Sequence, residues 1–99
     1  MSKIETEMTS IEILSVEDRE ALLVGLALAL EGVAKEAFVE GNKHFAAVSQ
    51  GMADAIRVNA DEWAAEDLEN AGLAAGQAAE MLSKFRAEHP HRILTYALN

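Results

Sequence analysis

Metal ligation is the first chemistry to test in a chain rich in acids, and the residue spacing argues against it. A carboxylate-bridged di-iron bundle needs Glu-x-x-His on two helices plus two further inward glutamates, and no Glu-x-x-His occurs here. Glu40 and His44 stand four residues apart, but Gly41 lies between them and no second pair completes a ligand set. His89-Pro90-His91 offers two imidazoles at an expected turn, too few for a closed site. With no cysteine anywhere, thiolate metal sites, disulfides and a thiolate nucleophile are all excluded.

Nucleophilic and acid–base chemistry is also unsupported. A triad requires an activated nucleophile, a base within hydrogen-bond reach and a group that orients the base. Ser2, Ser10, Ser15, Ser49 and Ser83 belong to no such motif, and carboxylate pairs such as Glu36 with Glu40 have the spacing of an ordinary wet helix face. Gly72-x-x-x-Gly76 sits inside a helical pattern and lacks the Lys-Ser/Thr of a phosphate loop. The expectation is therefore a non-enzyme with no catalytic residue, no cofactor and no metal.

One constellation remains. Asp61, Glu62, Glu66, Asp67 and Glu69 put five acids in nine residues without a base. On one continuous helix Glu62, Glu66 and Glu69 would share a face, and four helical residues rise about 6 Å, near the spacing of phosphates along a strand. Such a face could imitate a nucleic-acid backbone toward a basic partner. The plainer account is that acids gather at a helix N-terminus, where the dipole stabilises them, and keep an alanine-rich bundle in solution. Trp63, the single tryptophan, would anchor a partner at this face or else pack into the core.

The elements that must position these residues follow from composition. The chain holds 99 residues, enough for one domain, and 51% are hydrophobic, although 19 of those are alanine. Leu, Ile, Val and Phe number 25, enough to exclude disorder throughout. The net charge of −9 opposes direct binding to nucleic acid or to anionic lipid. The most apolar stretch, Ala21 to Leu30, is ten residues long and too short to span a bilayer, and the acids before it do not suit a secretion leader. A cytoplasmic location is the expectation.

A single proline, Pro90, and the abundance of Ala, Leu and Glu leave the middle of the chain free to be helical. The first helix is expected over Val16 to Glu40, capped by Ser15 and stopped by Gly41-Asn42. A second is expected over Lys43 to Val58, and a third over Ala60 to Glu88, with Asn59 and Glu62 resembling a capping box. Each carries a stripe at heptad spacing: Leu23, Leu26, Leu30, Val33 and Ala37 on the first; Phe45, Val48, Met52 and Ala55 on the second; Ala64, Leu68, Ala71, Ala75, Ala78, Leu82 and Phe85 on the third. The fold class is thus all-α, a small antiparallel three-helix bundle over residues 1–99. Residues 1–14 and 90–99 form terminal arms that are extended, a short helix, or paired strands, since Ile11-Glu12-Ile13 alternates and Ile93 to Leu98 is rich in β-branched and aromatic types.

Apolar residues encircle the first helix between Ala21 and Leu30. Its partners can cover the Leu23, Leu26, Leu30 stripe but not also Leu22, Val24 and Leu28, so these three are the expected interface of a homodimer or higher oligomer. The function expected is a non-enzymatic protein–protein interaction module whose partner is a second copy of itself. The alternative is an acidic inhibitor that binds a basic host protein in place of nucleic acid through Glu62, Trp63, Glu66 and Glu69. A small acidic helical chain without catalytic signature resembles, in type only, the phage and mobile-element proteins that block host machinery.

Overall fold

Ser15 opens the first helix as its position suggests: its hydroxyl accepts the Asp18 amide at 3.1 Å, and Glu17 and Asp18 occupy the first turn. The computed structural model describes residues 11–88 of the chain. Three helices follow one another, α1 (Val16–Val39), α2 (Lys43–Glu66) and α3 (Leu68–Glu88), with no strand among the described residues. They pack as an all-α three-helix bundle in which α1 lies against α2 most extensively and α3 touches both.

The link between α1 and α2 is built from local chemistry. Gly41 takes φ +89°, a conformation open to glycine, and its amide donates to the Phe38 carbonyl at 3.0 Å. Asn42 donates its amide to the Ala37 carbonyl at 2.8 Å, completing a Schellman closure, while its side chain accepts the Phe45 amide at 3.3 Å and caps α2.

The second link departs from expectation. No break occurs at Asn59, whose side-chain amide donates to the Ala55 carbonyl one turn back while α2 continues for two more turns. The break is Asp67 alone. Its amide closes α2 on the Trp63 carbonyl at 3.1 Å, its own carbonyl accepts the Ala71 amide at 3.0 Å, and its carboxylate caps α3 by accepting the Asn70 amide at 3.1 Å. Asn70 also donates its side-chain amide to Asp67 at 2.7 Å. Aspartate is a strong N-cap, and here it ends one helix and starts the next without an intervening residue.

Burial follows heptad steps but on a different register from the expected one in two helices. On α1 the fully covered positions are Leu23, Ala27, Leu30, Ala34 and Ala37, with Leu26 and Val33 half-buried beside them. On α2 they are Ala46, Ser49, Ala53, Ile56, Ala60 and Ala64, one position on from the expected Phe45, Val48, Met52 and Ala55, of which Val48 and Ala55 are exposed. The reason is size. Where two helices lie close, the smallest side chains occupy the line of contact and the larger ones splay to either side. The α3 stripe is as expected: Ala71, Ala75, Ala78, Leu82 and Phe85 are buried, and Ala64 and Leu68 continue it across the break.

At the end carrying the α1–α2 link, Phe45 and Phe85 stack with centroids 5.6 Å apart, which fixes α3 antiparallel to α2. Ser49 is fully buried between the helices and its hydroxyl has no hydrogen-bond partner. At the opposite end Ile11 and Glu12 are helical, not strand, and Ile11 is buried in the main core. The remainder of the expected arms, and His89-Pro90-His91, lie outside the described residues.

Candidate interaction surfaces

Arg19, a residue that periodicity alone does not single out, organises one end of the bundle. Its guanidinium donates to the carbonyls of Ile11 at 2.9 Å, Glu12 at 3.3 Å and Ala64 at 2.9 Å. Ala64 offers one of the last four carbonyls of α2, which no helical amide can satisfy, and a cation is well placed at that negative helix end. The same corner collects acids. Glu12, Glu17, Asp18, Glu20, Asp61, Glu62, Glu66, Asp67 and Glu69 stand there against Arg19 as the base among the described residues. The far end, about 36 Å away for a helix of 24 residues, is balanced: residues 35–43 and 80–88 carry four acids and four bases.

This arrangement corrects the expected setting of the acids. Glu66 is in the last turn of α2, and Asp61 and Glu62 are in the turn before it, so the helix dipole does not favour them as it would at an N-terminus. Asp67 and Glu69 alone enjoy that position, at the start of α3. The break at Asp67 also takes Glu69 onto a different helix from Glu62 and Glu66, so the three do not form one continuous helical face. Glu62, Glu66 and Glu69 are exposed, whereas Trp63 is half-buried and packs against the main core.

The outer face of α1 is the second surface. Ala21, Gly25, Leu28, Gly32, Lys35 and Val39 recur in steps of four and three and are all exposed, forming an outward stripe opposite the buried one. Leu28 is 54% exposed and Leu22, to one side of the stripe, 39%. Val24 is half-buried against the core and contributes less open surface than the other two. A Cβ added at Gly25 or Gly32 would meet nothing within 4 Å, so no contact among the described residues requires either glycine.

A third feature lies where α1 ends and α2 begins. An open cleft of about 540 Å³ is lined by Ala34, Lys35, Phe38, Val39, Lys43, Ala46, Ala47 and Gln50. Phe38 and Val39 are 62% and 78% exposed on its rim. Across the same pair of helices Arg57 and Glu31 form an ion pair at 2.7 Å, exposed enough to contribute little to stability.

Glu40 and His44 are both exposed and separated by the α1–α2 link, and no group of three or more potential ligands converges among the described residues. No helix among them is long and apolar enough to cross a membrane. No family model matches the chain, and no curated protein or solved structure matches it.

Proposed function

We propose that the protein is a non-enzymatic helical interaction module that assembles with itself, as a dimer or higher oligomer, through the outer face of α1. The observation that carries this reading is the part of the outward stripe formed by Ala21, Gly25, Leu28 and Gly32, an apolar and small-residue seam at heptad spacing on a helix already covered on its other side. Glycine within a helix costs about 1 kcal/mol relative to alanine, and Gly25 and Gly32 bear that cost with no contact among the described residues to justify it. A neighbouring backbone approaching closely would justify it. A two-fold axis between residues 26 and 27 sets Leu28 of each copy over Gly25 of the other, a large side chain against an absent one, in a self-complementary contact that leaves Lys35 and Val39 outside it.

Light scattering coupled to size exclusion tests this at micromolar concentration. The expected mass is that of two or more chains. Leu28→Glu should give a folded single chain, because Leu28 supports nothing in its own core. Joint Gly25→Ala and Gly32→Ala substitution should raise the unfolding midpoint of the chain and weaken its association at least tenfold. A wild-type mass of one chain overturns the reading.

A second reading has its own support. Nine acids share one end of the bundle with Arg19, and the helix dipole does not account for Asp61, Glu62 and Glu66. That concentration suits an inhibitor, of the phage or mobile-element kind, that occupies the nucleic-acid-binding surface of a basic host protein. Reversal of Glu62, Glu66 and Glu69 to lysine should leave helicity and oligomer mass unchanged and abolish capture of such a partner, and wild-type capture should fall steeply with salt. Equal capture by the reversed protein rejects it.

A further inference from the structure

We infer that the cleft between the end of α1 and the start of α2 binds a small amphipathic carboxylate, its apolar body against Phe38, Ala34, Ala46 and Ala47 and its anionic head between Lys35 and Lys43. A cleft of about 540 Å³ is within the range of small-ligand sites, and its lining has their usual character: an apolar wall with a few polar groups at one side. The polar groups here are Lys35, Lys43 and Gln50, and no acid joins them.

Charge makes the cleft distinct from the rest of the surface. The chain carries −9 overall, so an anion is repelled by most of it. Among the other bases of the described residues, Arg19 is committed to three carbonyls and Arg57 to Glu31, while Lys84 and Arg86 lie on α3 outside the cleft lining. Lys35 and Lys43 enter no ion pair between described residues, and both face one apolar cleft at the end of the molecule where charges balance. The first turn of α2 holds no acid, so its positive helix end adds to the same potential.

The extent of the cleft suits a small molecule. Its lining spans residues 34–39 of α1 and 43–50 of α2, about 10 Å or two turns of helix, within the reach of a single extended acyl body. An anionic membrane surface is disfavoured by the net charge.

Isothermal titration of the full chain with decanoate, kept below its micelle concentration, tests the proposal. One decanoate should bind per chain. Decan-1-ol, which keeps the body and lacks the charge, should bind at least tenfold more weakly to the same unaltered protein. The joint Lys35→Gln and Lys43→Gln variant should lose at least tenfold in decanoate affinity, whereas joint Lys84→Gln and Arg86→Gln substitution at the same end should change it less than twofold. Ala47→Trp, at an exposed position, should fill the cleft and remove binding with helicity and oligomer mass unchanged. Equal affinity for the alcohol, indifference to the two cleft lysines, or no decanoate binding up to millimolar concentration overturns the assignment. So does a change of oligomer mass in Ala47→Trp, which would make the cleft a contact between copies, or co-sedimentation with phosphatidylcholine vesicles, which would make it a lipid surface.

Discussion

Replacing Leu30 by alanine should cost about 3–4 kcal/mol of folding stability, measured as a fall in urea midpoint at unchanged slope. Leu30 is completely buried, and it belongs to a core in which alanine supplies most of the covered positions. The large, fully covered apolar side chains are Ile11, Leu23, Leu30 and Ile56. Each therefore contributes a greater share of the apolar burial than its counterpart in a leucine-rich bundle, and a close-packed interior fills the cavity left behind only in part. Leu28→Ala, two residues away on the outer face, should change the stability of a single chain by less than about 0.5 kcal/mol. Similar losses at Leu28 and Leu30 would mean that the register of α1 is wrong.

The second large effect concerns Arg19. Arg19→Ala should cost about 2–4 kcal/mol and lower the melting temperature by roughly 10–25 °C, because it removes three charge-assisted hydrogen bonds to main-chain carbonyls. Two of those carbonyls belong to the Ile11–Glu12 turn and the third to the end of α2, so the loss detaches Ile11 from the core as well as uncapping a helix. Arg19→Lys should recover less than half of the loss. An ammonium retains the charge but cannot reach three acceptors in the directions a planar guanidinium provides. Full recovery by lysine, in thermal melts followed by circular dichroism, would assign the effect to charge alone.

The bundle was legible in the sequence where the deciding chemistry is local. Ser15, Gly41 and Asn42 act within three to five residues of themselves, and the helix ends they define are where their types place them. Asp67 was missed because it interrupts nothing a periodicity can see. The step from Ala64 to Leu68 keeps one buried stripe on course through the corner, so the pattern reads as a single helix. The available signal was Asp67 with Asn70 three residues on, a cap obscured by the acids around it. The one-position error on α2 came from weighting Phe45, Val48 and Met52 by bulk, when close helix contact selects Ala46, Ser49 and Ala53 for their smallness. Arg19 was beyond reach, since its acceptors are backbone atoms as far as 45 residues away. The cleft depends likewise on how Lys35 and Lys43 converge across a turn, which spacing alone does not disclose.

The two short links also bear on how the chain acquires its structure. Residues 40–42 join α1 to α2, and Asp67 alone joins α2 to α3. Successive helices are thus neighbours from the moment they form, and little chain must be searched through space before native pairs meet. Such low contact order belongs to topologies that fold in about microseconds to milliseconds. α1 and α2, which share the most extensive contact, are also sequence neighbours, so the alanine seam between them closes with little search and α3 docks onto the surface they form.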